Sequence, residues 1–421
     1  MPDDGATPAA AGAPPYPGTP ARGRAFGPLR HRNFRLLWSG LVVSQTGNWM
    51  QFIALGYLID QLTQAPIYLG LLGVSQAIPR LLFAFVGGVT ADRLDRRRVL
   101  IVTNAIMMGS AILLWLLAQT DRIAVWHILV IGAFNSLTQS FDAPARQSLI
   151  PSLVPERELM QAVSLTSVAF NGAGIFGPSL GGVIIAAIGV KGCFFVNAVS
   201  FVAVFLALFL MEFTDTTSGL ETSIADDMRE GVQMLLQHRA LLTILAMVAI
   251  LSFFGRPYIR MMPAYAREVL GAGPTGLGVL QAGPSVGTVL AVFVIGALAD
   301  VVPKGRLMQD AAIASGVLVV LFGLSRWFWM SFALLVLMGL AHSIAQASAN
   351  TLLQTTVQPH QRGRMMGIYS MTVFGMFALG TLPTGALGGV VGIGPALAIG
   401  GAAVVALVGV LVWRAPGVAK L

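Results

Sequence analysis

Gly87-Gly88-Val89-Thr90-Ala91-Asp92-Arg93-Leu94-Asp95-Arg96-Arg97-Arg98 separates two long apolar runs with glycines, two aspartates and a block of arginines. Such a stretch reads as a short charged turn at a membrane surface. Lysine and arginine concentrate in cytoplasmic connections, which makes this turn cytoplasmic. A bilayer core takes about 20 apolar residues per helix. Counting outward from the turn predicts spans near 33–59, 66–91, 98–118, 123–146, 158–188 and 192–212, then 239–265, 275–300, 307–325, 328–356, 363–390 and 393–413. The fold class expected is therefore an all-α membrane protein of twelve transmembrane helices, with both termini on the cytoplasmic side.

Composition excludes the soluble classes. The 421 residues are 56% hydrophobic and only 10% charged, with a mean hydropathy of +0.77, too few charges to cover a soluble domain of that length. The net charge of +8 raises nucleic acid as a partner, but the basic residues lie in turns between apolar runs and form no binding stripe. The expected partners are the lipid bilayer, a small-molecule substrate and protons, with no nucleic acid, and the chain is expected to act as a monomer. Cys193 is the only cysteine, so intramolecular disulfides and cysteine-metal clusters are excluded. Neither a metal nor a cofactor is expected.

Sorting Lys and Arg by side puts about 19 on the cytoplasmic face and six outside: Arg122, Lys191, Arg256, Arg260, Arg267 and Arg326. Arg80 falls inside the second span. Tyr57, Tyr68, Trp115, Trp126, Tyr258, Tyr265, Trp327 and Trp329 map near outer span ends, as an interfacial belt would. The Pro-, Ala- and Gly-rich residues 1–30 read as a disordered cytoplasmic tail. Residues 31–213 form the first set of six spans, 214–238 a cytoplasmic linker, 239–414 the second set, and 415–421 a tail. Within the linker, Ile224–Leu236 reads as an amphipathic helix. Its Asp226-Asp227-Met228-Arg229-Glu230 run reads as solvated rather than as a metal site.

The two halves repeat one another. Gly88, Ala91, Asp92 and Arg98 recur as Gly296, Ala299, Asp300 and Arg306, at a constant offset of 208. Gly132, Ser136, Gln139 and Gln147 recur as Gly339, Ser343, Gln346 and Gln354, at offset 207. Pro178 before Gly181-Gly182 matches Pro383 before Gly388-Gly389. Internal repeats are a mark of transporters, whose substrate sites lie where the repeats meet.

These residues resemble the major facilitator superfamily. Its G-x-x-x-D-R-x-G-R-R signature is filled by Gly88, Asp92, Arg93, Arg96 and Arg97, with Asp95 in place of the second glycine. Phe141-Asp142-Ala143-Pro144-Ala145-Arg146-Gln147, followed by Pro151, Val154-Pro155, Leu159 and Ala162-Val163, is similar to the enterobactin exporter and transmembrane secretion effector branch, which includes macrolide efflux proteins. The resemblance covers about residues 28–413. It implies two pseudo-symmetric six-helix bundles around a central cavity, alternating access, and energy from the proton gradient. It also implies a bacterial inner membrane location. No G-x-x-x-x-G-K-[ST] loop is present for ATP.

From the signature, the resemblance implies that Gly88, Asp92, Arg93, Arg96 and Arg97 work at the cytoplasmic gate, with Asp92 holding the two bundles together. Asp300 is its degenerate second copy. The alternative is that the arginines only anchor topology. Asp142 and Arg146, four apart with the acid first, suit a helical ion pair. An intramembrane carboxylate is costly, so Asp142 is the candidate proton carrier, against the alternative of a structural gate pair. Arg80 either attracts an anionic substrate, with Gln76 one turn away, or snorkels to the surface.

Polar rows are expected to line the cavity: Gln45, Asn48 and Gln51 on the first helix, Asn135 and Gln139 on the fourth, His342, Gln346 and Asn350 on the tenth. The alternative for each is a hydrogen bond between helices. Gly174, Gly177, Pro178, Gly181 and Gly182 resemble the G-x-x-x-G-P-x-x-G-G motif of proton-coupled exporters, with Ala173 for its first glycine. Close packing alone would also require these small residues. Together these features point to a secondary active exporter of an amphiphilic molecule such as a siderophore or drug. The rival readings are an importer or facilitator and a non-transporting sensor. Without paired intramembrane carboxylates, H-E-x-x-H or a nucleophile elbow, no enzyme is expected.

Overall fold

The computed structural model describes residues 26–93, 95–211, 238–298, 301–358 and 361–420, with backbone alone at 84–93 and 420. The described residues are helical, with no strand. In chain order the helices are α1 (Arg32–Thr63), α2 (Pro66–Arg93), α3 (Arg96–Gln119), α4 (Val125–Leu153), α5 (Leu159–Ile188), α6 (Val190–Leu210), α7 (Arg239–Ile250), α8 (Tyr258–Glu268), α9 (Pro274–Leu298), α10 (Lys304–Leu324), α11 (Phe328–Thr356), α12 (Arg362–Val391) and α13 (Ile393–Arg414). The single run expected over 239–265 is broken. After α7 comes a π-helical turn at Leu251–Gly255, then the Arg256-Pro257 step, and only then α8. Proline lacks the N–H that would continue the helical bonding, so the helix is interrupted there.

Ten helical runs among the described residues, counting Arg239–Glu268 as one, are long and apolar enough to cross a bilayer. The long helices α1 and α4 are not among them. The reason is the polar rows they carry, Gln45, Asn48 and Gln51 on one, Asn135, Gln139 and Asp142 on the other.

The duplication read in the sequence reappears in the packing. In the first half α2 packs on α4, α3 on α4 and α6, and α1 on α5 and α6. In the second half α9 packs on α11, α10 on α11 and α13, and the broken crossing on α12 and α13. Gly189 joins α5 to α6 and Gly392 joins α12 to α13, at φ of 78° and 87°. A one-residue connection of that hand favours glycine in both copies.

Two seams hold the halves together, α2 on α12 and α5 on α9. They close at the start of α2, away from the charged turn at its end. A Cβ on Gly70 would stand 2.7 Å from Thr381 O, and one on Gly182 would stand 2.5 Å from Pro274 O, so backbone meets backbone there. At the same end, Arg267 on α8 grips Asp60 on α1 through two bonds, Nε to Oδ2 at 2.7 Å and Nη2 to Oδ1 at 2.9 Å.

Several expectations change. Tyr258 and Tyr265 are buried, and the Tyr265 hydroxyl lies 2.6 Å from Phe322 O. They belong to the core rather than to an interfacial belt, whereas Trp126, Trp327 and Trp329 are exposed. The expected tails are partly ordered: Gly27–Arg30 forms a turn with Gly27 and Pro28 buried, and Pro416–Lys420 another with Val418 buried. The amphipathic helix at Ile224–Leu236 and residues 1–25 lie outside the described residues.

Candidate functional site

A cavity of about 950 Å³ lies between the two halves. Its wall reaches Ile150 and Val163, either side of the α4–α5 connection, so it runs toward the end where Arg96 of the charged turn donates to Ser148 O at 2.9 Å. The opposite end is the one shut by the two seams and the Asp60–Arg267 pair.

Of the predicted cavity residues, Gln45, Asn48, Gln51, Gln76, Arg80, Asn135 and Gln139 stand in this wall. Gln51 accepts from Asn197 Nδ2 at 2.8 Å, while the buried Asn135 Oδ1 has no hydrogen-bond partner among the described residues. His342, Gln346 and Asn350 do not stand in it. Their row on α11 satisfies itself: His342 Nε2 is 2.9 Å from Gln346 Nε2, Tyr369 of α12 donates to Gln346 Oε1 at 3.3 Å, and Gln354 donates to Asn350 at 2.6 Å. The expected bond between helices is made by Tyr369, while the other two run within α11.

Asp142 and Arg146 face the cavity as an ion pair of 2.8 Å. The carboxylate is 2% exposed and also accepts from Thr103 Oγ1 and Asn104 Nδ2, both at 3.1 Å. Three donors thus converge on it. Arg146 lies over the Phe170 ring at 5.3 Å.

Two arginines missed by the sequence reading complete the wall. Arg256 and Arg260, expected on the outer surface, line the cavity because the break between α7 and α8 carries them inward. Arg260 sits 4.4 Å over the Phe52 ring and donates to Gln76 Oε1. Arg256 sits 5.3 Å over Phe377, and Arg80 4.5 Å over Phe374. The repeat held the signal. Carried along the chain, the offset of 208 takes Asn48 to Arg256 and Phe52 to Arg260, so Arg260 touches its own counterpart. An Arg-Pro step inside an apolar run was a second signal, since broken helices mark transporter binding sites.

At the charged turn, Asp95 is the N-cap of α3: its side chain accepts from the backbone N–H of Arg97 at 2.9 Å and of Arg98 at 3.1 Å. A capping carboxylate stands where the signature has glycine. Arg97 donates to Phe209 O at 3.2 Å, so Arg96 and Arg97 bind carbonyls near the ends of α4 and α6. Gly88, Asp92 and Arg93 close α2 with side chains outside the described set, and Asp300 lies outside the described residues. On α5, a Cβ at Gly177 would press on Thr46 O of α1 at 2.9 Å and one at Gly181 on Met50 Cα at 3.2 Å, whereas Gly174 and Gly182 face α9. The motif thus seats α5 between α1 and α9, with Pro178 inside the helix.

A family model described as transmembrane secretion effector matches residues 23–418. Macrolide efflux protein A of Streptococcus pyogenes is 19% identical, over 80% of this chain and 84% of that protein. The staphyloferrin A transporter of Staphylococcus aureus is 24% identical, over 80% of this chain and 84% of that protein. Among solved structures, a bacterial homologue of the iron transporter ferroportin in an inward-facing state has the same fold. Its TM-score is 0.73 at 15% identity, covering 91% of this chain and 98% of that one.

Proposed function

The chain belongs to the transmembrane secretion effector family of major facilitator transporters, a multi-pass membrane protein, and from that premise we propose that it exports an amphiphilic small molecule by alternating access. In this reading α1 and α4 cross the membrane as well, which gives twelve spans in two six-helix bundles at 31–213 and 239–414. The charged turn and both termini face the cytoplasm of a bacterial cell. The observation that carries the reading is the polar cavity, sealed at the Asp60–Arg267 end and running toward the arginine-rich turn. It is the loading state of an exporter. Relatives named for macrolide efflux and for siderophore transport support the substrate class.

The proton gradient supplies the energy in this proposal, with Asp142 as the carboxylate that takes the proton and releases Arg146. Asp92 and the arginines of the turn serve the inner gate. Substrate accumulation in everted vesicles energised by respiration, and its collapse with a protonophore, is the expected result. Uptake into intact cells down a substrate gradient without proton flux would instead establish a facilitator. An Asp92→Asn variant that folds and changes no transport assay would favour a sensor.

A further inference from the structure

We infer that the substrate is an amphiphilic di- or trianion held by Arg80, Arg256 and Arg260, and that the cavity selects against cationic amphiphiles. The inference rests on the exporter reading and narrows it. Four guanidiniums and one carboxylate among the described residues face the cavity. The carboxylate, Asp142, is taken by Arg146. No carboxylate among the described residues pairs with Arg80, Arg256 or Arg260. Among the described residues, three positive charges therefore converge unneutralised on one space.

Burial makes that arrangement costly without an anion. Arg260 is 9% exposed, and the Nε atoms of Arg256 and Arg260 are buried with no acceptor. The Phe52, Phe374 and Phe377 rings stabilise the guanidiniums through their faces but leave the charge in place. A ring face accepts no conventional N–H bond, so these guanidiniums keep donors for an oxyanion beyond the one Arg260 gives Gln76; planar, two-pronged contacts to carboxylates are the strongest such donors make. A cavity of about 950 Å³ is far larger than an inorganic anion and suits an organic molecule of drug size. The rings and Trp49 supply apolar surface for its body, and the amides of Gln45, Asn48 and Gln139 can bond its hydroxyl or carbonyl groups.

An energetic consequence follows for export. A negative charge leaving a cell whose interior is negative runs down the electrical gradient, a gain of about 50-fold in concentration ratio per charge for each 100 mV. Membrane potential then drives export together with any proton entering.

The test uses the purified full-length chain and benzene-1,3,5-tricarboxylate, a trianion at neutral pH. Titration calorimetry and thermal shift are expected to show saturable binding. Arg260→Gln and Arg80→Gln should each weaken it by about tenfold or more, the loss of one charge-assisted contact. Arg306→Gln, exposed and outside the cavity, should leave it unchanged. If Arg260→Gln fails to fold, Arg80→Gln carries the comparison, since among the described residues Arg80 is held by the Phe374 ring and by no ion pair. Equal or tighter binding of the neutral trimethyl ester or of tetraphenylphosphonium overturns the inference, as does tricarboxylate binding indifferent to both variants. In proteoliposomes, a potential set by potassium and valinomycin should accelerate tricarboxylate movement toward the positive side. Tricarboxylate binding combined with energised import would keep the anion assignment and remove export. Export of the phosphonium without tricarboxylate binding would keep export and remove the anion.

Discussion

Asp142 is held by Arg146, Thr103 and Asn104 at once, so its role can be separated from its packing. Asparagine mimics the protonated carboxyl: it retains an oxygen for Thr103 and Asn104 but exchanges no proton. In Asp142→Asn proteoliposomes, substrate exchange should persist while net efflux stops responding to a pH gradient, as read with labelled substrate. Efflux that still follows the gradient would move proton carriage elsewhere. Asp142→Ala should also lower stability, because Arg146 is left largely buried and unpaired, a loss of about 3–5 kcal/mol readable as a fall in melting temperature. At the turn, Asp95→Ala removes a helix cap and an exposed ion pair with Arg98 at 3.3 Å; the cap dominates, so the variant should cost about 1 kcal/mol, with transport preserved. These residues differ in legibility. The Asp142–Arg146 spacing showed the pair directly, whereas Thr103 and Asn104 come from α3, distant in sequence, and no local pattern announces them.

At the scale of elements, the seam between α5 and α9 depends on absent side chains. A Cβ on Gly278 would lie 2.6 Å from Pro178 O and 3.1 Å from Gly182 Cα, all backbone that cannot swing aside. Gly278→Ala should therefore cost about 1–3 kcal/mol and loosen the closed end. At Gly172, on the same α5, a Cβ would meet nothing within 4 Å, so Gly172→Ala should be neutral or slightly stabilising. Thermal unfolding of the two variants side by side tests the contrast. The broken run Arg239–Glu268 is the element that the hydropathy pattern concealed. Its apolar run continues through Arg256-Pro257, and only the backbone break turns two arginines from the expected outer surface into the cavity.

For the whole molecule, the proposed alternation of access requires separation of contacts that cross between halves at the closed end. The Asp60–Arg267 pair is the strongest polar one. Asp60 is 3% exposed while Arg267 retains water, so Asp60→Asn removes the charge at its buried side and leaves an arginine that solvent can satisfy. This variant should favour the state open at that end. Cys193 is buried, which leaves a quiet background for a Leu55→Cys reporter in the cavity wall. Labelling of that cysteine by a membrane-impermeant maleimide from the Asp60 side should rise in Asp60→Asn. Unchanged labelling would mean that the glycine seams alone hold the end shut. Arg260 over Phe52 and Arg80 over Phe374 also cross between halves, so the switch disturbs the anion site as it opens the gate.

The sequence by itself determined the helical membrane class, the duplication and the polar rows of the first and fourth helices. Those properties are written in composition and spacing, which act locally: an apolar run of sufficient length becomes a helix, and a repeat builds the same packing twice. Only the tertiary structure decided which polar rows meet a common space. His342 and its neighbours bond to one another and to α12, whereas Arg256 and Arg260 swing inward at a backbone break. Whether a polar side chain faces a cavity or a neighbouring helix depends on the rotation of whole helices about their axes, set by glycine contacts between helices far apart in the chain.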